Sequence, residues 1–281
     1  MVKRLTLMVV ATIAGVLIGF QLIFSIPEQP QIVSQSGALV RQEVNCLEFD
    51  APQALDHHGE LNLLIWNIYK QGRTGWKTAL DTLADQSQLL LLQEASLTDE
   101  LKKWLINGLW VSNRVTAFKA FDHAAGVISI ARPEPVRACA YTATEPWLRL
   151  PKSALYSEYL LSDGTTLAVF NIHAINFTWG TKEYRAQLAT LQQALQSHEG
   201  PVVFAGDFNS WSEERLVTMT SVLKLAGLEE VRFNPDYRTQ FVTGLALDHV
   251  YYRGLKVEYA KAPQSDASDH NPLLVRFRLE Q

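Results

Sequence analysis

The chain is expected to fold as an α+β protein: a four-layer α/β/β/α sandwich of two mixed, largely antiparallel sheets with outer helices. Three observations lead there. Short apolar runs of strand character alternate with segments of helical spacing from residue 61 onward. Several runs are joined by links of hairpin length, which antiparallel neighbours accept and parallel ones do not. Helical segments interrupt the two halves at similar places, so each half supplies a sheet and an outer layer. A parallel doubly wound sheet is the competing architecture, and no Gly-rich turn follows the first strand to support it.

The elements follow in order. Lys3 and Arg4 precede an apolar stretch over 5–26 that is broken only by Thr, Gly, Gln21 and Ser25. At about 1.5 Å per residue it can cross a hydrocarbon core of roughly 30 Å. Basic residues in front of it fit a cytoplasmic N-terminus. Residues 1–26 are therefore expected to be an uncleaved inner-membrane anchor with the remainder in the periplasm. A cleaved signal peptide and a mis-called start with a cytoplasmic protein are the alternatives. Residues 27–60 hold Pro27, Pro30 and Pro52 and lack periodicity, which predicts a linker with one short strand at 39–44. The pair His57-His58 there reads as a solvated loop rather than metal ligands.

A folded domain is expected over 61–281. Strands are predicted at 61–68 and 89–92, around a helix at 74–86 that places Trp76, Leu80 and Leu83 on one face. Thr98 is suited to cap a helix over 98–104. A strand at 126–131 stops at Arg132-Pro133, and Ser162-Asp163-Gly164 marks a hairpin between 154–161 and 165–171. An amphipathic helix spans 183–196, a buried strand 201–205, and a helix 212–226 ends at Gly227. Strands at 247–252 and 273–279 close the domain.

Net charge is −4 with a pI near 6.0, so no global basic field favours tight non-specific binding to duplex nucleic acid. Cys46 and Cys139 are the only cysteines and lack zinc-site spacing. They could form a disulfide in an exported domain or remain two buried thiols.

Polar residues end most of the apolar runs. A polar side chain there costs folding energy unless it is paired or ligates something. In order they are Trp66-Asn67, Leu92-Gln93-Glu94, the stretch from Asn171 through His173 to Asn176, Gly206-Asp207-Phe208-Asn209, Leu247-Asp248-His249 and Ser268-Asp269-His270-Asn271-Pro272. Such a series points to one site where strand ends converge. Glu94 closes a run of leucines and reads as a solvated strand end or as the ligand of a hard cation, Mg²⁺ or Mn²⁺, bridging to a phosphate. Asp207 and Asn209 point the same way if their strand persists; an Asx-turn is the alternative. Ser212 begins a helix whose N-terminus welcomes anions. His270 has the chemistry of a general base and needs a carboxylate to orient it, for which Asp248 is the candidate; Asp269 is better placed to ligate metal. His249 is expected on the opposite side of its strand from Asp248. His173 could donate to a phosphoryl or leaving oxygen, Asn176 could bind phosphate, and Asn67 could do likewise or hold a metal-bound water. Each of these three alone also reads as a turn residue. Trp147-Leu148-Arg149-Leu150-Pro151-Lys152 could face nucleic acid or a phospholipid surface, and Trp179 and Trp211 read as cleft-lining or packing residues.

Taken together, Asn67, Gln93-Glu94, His173 with Asn176, Gly206-Asp207-Phe208-Asn209, Asp248 and Ser268-Asp269-His270 resemble the motif series of the endonuclease/exonuclease/phosphatase (DNase I-like) superfamily, over about 61–279. The segments Ile65-Trp66-Asn67-Ile68-Tyr69-Lys70 and Ala205-Gly206-Asp207-Phe208-Asn209 are most similar to a bacterial branch of it. The resemblance implies Glu94 as main Mg²⁺ ligand with Asn67 and Asp269 close by, and His270, oriented by Asp248, activating water or stabilising the pentavalent state. It implies Asp207 handling the proton of nucleophile or leaving group, and Asn209 and Asn176 binding phosphate. His173 stands where DNase I-like members carry His and abasic-site enzymes carry Tyr, which leans away from abasic-site specificity. The expected activity is hydrolysis of a phosphodiester in nucleic acid or phospholipid by a monomeric, membrane-anchored protein. A phosphomonoesterase and a non-catalytic binding module are the alternatives.

Overall fold

The computed structural model describes residues 6, 12, 15, 19–121 and 123–280. The chain enters the fold at β1 (Phe24–Ser25), followed by the hairpin β2 (Gln31–Ser36) and β3 (Leu39–Val44) and by β4 (Cys46–Glu48). β5 (Glu60–Asn67), α1 (Trp76–Ala84) and β6 (Leu89–Gln93) come next. α2 (Asp99–Asn107) leads into the hairpin β7 (Val111–Ala120) and β8 (His123–Ala131). β9 (Arg137–Thr144), β10 (Pro151–Leu160) and β11 (Thr166–His173) form a meander. α3 (Lys182–Ala194), β12 (Val202–Asp207), α4 (Glu213–Leu225), β13 (Glu229–Glu230), β14 (Asp248–Arg253), β15 (Leu255–Lys261) and β16 (Leu273–Leu279) complete the chain.

A nine-stranded sheet runs β15-β16-β5-β6-β8-β7-β2-β3 with β1 against β7, and a seven-stranded sheet runs β13-β14-β12-β11-β10-β9-β4. Within the two sheets only β5/β6 and β11/β12 are parallel. Strand periodicity builds the layers. Leu61, Leu63 and Ile65 face the second sheet and meet Val169, Val203, Ala205 and Val250. Leu64 and Trp66, on the opposite face, are covered by Trp76 and Leu80 of α1 and Leu101 and Trp104 of α2. On the far side Tyr184, Leu188 and Leu191 of α3 and Met219 and Val222 of α4 cover Phe170, Ile172 and Phe204. Both faces of the central strands are thus buried. Each fully buried aliphatic or aromatic side chain contributes about 1.5–3 kcal/mol relative to exposure. The layers stack α/β/β/α, as the sequence predicts.

Residues 27–60 are not a linker. β2 pairs with β7, and β4 pairs with β9, so this segment extends both sheets and buries Ile32, Leu47, Phe49 and Leu55. Its prolines sit outside the ladders, which is why they did not prevent strands. Cys46 lies directly opposite Cys139 across β4/β9, and the two form a disulfide. Thr98 caps α2 as predicted, its hydroxyl accepting from Leu101 N at 3.2 Å. Ser212 caps α4 in the same way at 3.3 Å and Glu213 and Glu214 fill its first turn, so that helix end is already satisfied and repels anions. Half of the apolar stretch over 5–26 expected as an anchor lies outside the described residues, and its end enters the sheet as β1. Among the described residues no helix is long and apolar enough to cross a membrane.

Candidate active site

Strand register brings the polar ends together. β5 and β6 are parallel and finish side by side, Asn67 opposite Gln93. β11 and β12 likewise finish with His173 opposite Asp207, and antiparallel β14 begins at Asp248 directly across from Asp207. The turn before β16 is tied to the first sheet: Ser268 Oγ donates to Asn67 O at 2.7 Å, and Trp66 Nε1 donates to His270 O at 2.8 Å. One edge of the sandwich therefore carries all these groups.

Backbone strain collects there. Tyr69, Lys70, Gln71, Glu94 and Asn209 all have φ between 47° and 57°, an unfavourable region for non-glycine residues that usually persists where function requires it. Gly206 has φ 140°, and an added Cβ would lie 2.1 Å from Ile172 O. Only glycine lets β12 approach β11 here and present Asp207 at its end.

Asp207 is the hub. Its Oδ2 accepts from Asn67 Nδ2 at 2.9 Å and lies 3.5 Å from His173 Nε2 and 4.0 Å from His270 Nε2. Asp248 Oδ2 is 2.7 Å from His270 Nδ1. Glu94 Oε1 is 3.7 Å from His173 Nε2, so Glu94 and His270 are joined through His173 and Asp207. Burial raises the Asp207 carboxyl; the His270 cation opposes this and Asp248 adds to it, leaving Asp207 pushed up to about 6. Burial pulls His270 down, but the contact with Asp248, helped by Asp207 and Asp269, outweighs it and raises His270 to about 10. His270 is therefore an imidazolium at neutral pH, its Nδ1–H bonded to Asp248. Burial, with Lys152, His270 and Lys70 nearby, holds His173 well below its ordinary range. Neutral His173 then accepts from Lys152 Nζ through Nε2 at 2.8 Å, which puts its proton on Nδ1.

Several expectations change in detail. β12 ends at Asp207, so Asp207 and Asn209 do not share a direction: Asn209 N donates to Asp207 Oδ1 at 2.9 Å in an Asx-turn, and Asn209 Nδ2 donates to Ala174 O at 2.9 Å. Asn176 is fixed by Trp211, whose Nε1 donates to Asn176 Oδ1 at 2.8 Å, and by Glu145, which accepts from its backbone N–H at 2.7 Å. Gln93 is fully buried and donates to Asn171 Oδ1 at 2.7 Å; the two brace the sheets behind the site. His249 faces away from Asp248 as expected, its Nδ1 lying 2.6 Å from Glu230 Oε1. Two lysines touch these groups that the sequence does not place beside them; Lys152 reads there only within the aromatic and basic stretch 147–152. Lys70 forms an ion pair with Glu94, and Lys152 contacts His173.

Glu94, Asn67 and Asp269, the expected ligands, each make another contact. Glu94 is neutralised by Lys70, Asn67 turns to Asp207, and Asp269 is exposed, its Oδ1 3.3 Å from Ser268 Oγ. The acidic and imidazole groups that do converge, among the described residues, are Asp207, Asp248 and His270, with ligand atoms within 4.8 Å of one another. Asp248 Oδ1 is buried and has no hydrogen-bond partner. A solitary buried carboxylate oxygen is costly, and a site rich in carboxylate oxygens suits a hard divalent cation. The residues present thus fit such an ion.

A two-sheet sandwich with carboxylates and imidazoles gathered at its strand ends is the frame of hydrolases that act on phosphate esters. Residues 64–270 match the model of the Endonuclease/Exonuclease/phosphatase family, and the chain belongs to that family. It is 63% identical over 279 residues to a UPF0294 protein of Vibrio campbellii, covering 99% of each chain. The human Nocturnin catalytic domain with bound sulfate superimposes with a TM-score of 0.62 at 19% identity, over 82% of this chain and 98% of that one. ANGEL2, a 2′,3′-cyclic phosphatase, gives a TM-score of 0.63 at 15% identity, over 85% of this chain and 99% of that one. At these identities the two structures show the shared fold.

Proposed function

We propose that the protein hydrolyses a phosphodiester with a divalent cation, Mg²⁺ or Mn²⁺. The observation that carries this reading is the buried array Asp207–His270–Asp248 at one edge of the sandwich. A cation held by Glu94, the ligand the family resemblance implies, in place of Lys70 and beside the Asp207–Asp248–His270 group, would neutralise charge on the non-bridging oxygens. His270, kept cationic by Asp248, is suited to hydrogen-bond a phosphoryl oxygen rather than to accept a proton. Asp207, with its raised carboxyl, is suited to take the proton of the attacking water. Asn67 holds Asp207 in place, and Lys152 supplies positive charge beside His173.

The test uses bis(p-nitrophenyl) phosphate and p-nitrophenyl phosphate with Mg²⁺. The diester is expected to be the better substrate, and Glu94→Ala and His270→Ala are each expected to lower its turnover by about 10²–10³-fold. Parent-like rates in both variants would overturn the assignment. We further propose that the part of the apolar stretch ahead of β1 anchors the protein in the inner membrane with the catalytic domain outside the cytoplasm. The Cys46–Cys139 disulfide supports this, because such bonds persist in oxidising compartments. A C-terminal alkaline phosphatase fusion should be active and a C-terminal fluorescent-protein fusion dark if the orientation holds; the reverse pattern refutes it.

A further inference from the structure

Apolar side chains that would ordinarily be buried flank the site on two sides. On one side Trp147 and Trp179 pack ring against ring with centroids 4.8 Å apart, yet Trp179 remains 80% exposed, with Phe177 half-exposed beside it. This pair is fixed to the site: Trp147 lies in the turn closed by Glu145 N donating to Leu150 O at 3.1 Å, and Glu145 also accepts from the Asn176 backbone at 2.7 Å. On the other side the β7–β8 turn presents Phe121, 73% exposed, and the chain just before β1 presents Leu22, 79% exposed. Phe121 N donates to Ile23 O at 2.9 Å, and the Phe24 ring meets Phe118 at 5.9 Å. Phe118 lines the same pocket as Glu94, Lys152 and His173.

This placement has a consequence. The apolar stretch of the sequence runs through Ile26, and β1 is already paired with β7 at Phe24. No slack separates the end of that stretch from the rim of the site. Whatever surface the N-terminal segment enters, the mouth of the site must meet as well. The flanking groups match one such surface. Aromatic rings settle at the headgroup level of a bilayer, and exposed Lys119, at the end of β7, and Arg149, in the turn of Trp147, can reach lipid phosphates while their stems stay apolar. A single-stranded nucleic acid would instead favour open aromatic faces along a basic groove. Here the two tryptophans cover one another in part, and Leu22 offers no face to stack on.

We propose that the mouth of the site docks on a lipid bilayer and that the scissile phosphodiester is that of a lipid headgroup. This rests on the phosphodiesterase reading above. In the reaction the oxygen of water bonds to phosphorus, one P–O ester bond breaks, and the proton from water ends on the leaving oxygen. The products are an alcohol and a phosphomonoester, with no change of oxidation state.

The experiment uses the full chain reconstituted in vesicles of phosphatidylcholine and phosphatidylglycerol. Every tryptophan lies beyond residue 60, so quenching by brominated acyl chains reports the domain and not the N-terminal segment. Quenching is expected in the parent and largely lost in Trp147→Ser/Trp179→Ser. With Mg²⁺, headgroup release from the vesicles should fall on the order of tenfold in that variant, while bis(p-nitrophenyl) phosphate turnover stays within about twofold. Docking is refuted if the variant is quenched like the parent. The lipid assignment is refuted if the soluble diester is hydrolysed and the vesicle lipids are not, or if single-stranded DNA is cleaved in preference and its cleavage falls in the variant. Failure on the soluble diester as well strikes the phosphodiesterase reading, and the quenching result still decides the docking surface.

Discussion

His270 and Asp207 both hold their protons more tightly in the folded state, so both push stability the same way. His270 is raised to about 10 when folded, against an ordinary value of 6.5, so its contribution is complete below about pH 6.5 and is lost as pH rises toward 10. Asp207, raised from 3.8 to about 6, binds its proton more tightly in the folded state and adds a loss between those values. In divalent-free buffer the unfolding free energy from urea titrations is therefore expected to fall between pH 6.5 and 9, by on the order of 2 kcal/mol. Asp248→Asn should flatten that slope and lower diester turnover by about 10²–10⁴-fold, since it removes the group that orients and charges His270. An unchanged slope in the variant would mean that the pair is not coupled as the geometry indicates. Most of this site was legible in the sequence, because Asp and His at the ends of apolar runs have no bland explanation when they recur in order. Lys70 was not legible beside Glu94, since a lysine on a turn normally reads as solvated charge, and Lys152 was legible only as part of the aromatic and basic stretch 147–152, not as the partner of His173. Nor could the sequence show that Glu94 would pair with Lys70, a contact set by the local turn at Tyr69–Gln71.

At the scale of elements, strands made of large apolar residues could be read directly: β5, β6, β12 and β16 are recognisable from their Leu, Ile, Val and Phe content. β2, β7 and β9 were not. Gln31–Ser36, Val111–Ala120 and Arg137–Thr144 are rich in Ser, Thr, Ala and Asn, and polar members such as Ser34, Ser112 and Asn113 are buried in the sheets, where hydrophobic alternation cannot reveal them. The missed strands explain the linker error, because β2 needs β7 as its neighbour and β4 needs β9. The disulfide reinforces that second pairing. It joins residues 93 apart in sequence, so Cys46→Ser or Cys139→Ser should destabilise the domain by about 2–4 kcal/mol by enlarging the unfolded ensemble. Thermal unfolding with and without reductant measures this, and the reductant should affect the parent but neither variant.

For the whole molecule, the decisive fact is where the last strand lies. β16 sits between β15 and β5 inside the larger sheet, and the turn immediately before it carries Asp269 and His270. A chain ending at residue 266 would lack both the imidazole and the partner of β5, so it should fail to give a cooperative melt and be devoid of diesterase activity even when oxidised. A cooperative, stable fragment would show that the sheet closes without its final strand. Because β16 is an interior strand held by β15 on one side and β5 on the other, the imidazole at its entrance is set in place only when that sheet has closed around it. The proposed chemistry is thereby tied to complete assembly of the larger sheet, and a half-paired sheet would hold its carboxylates without their cationic partner.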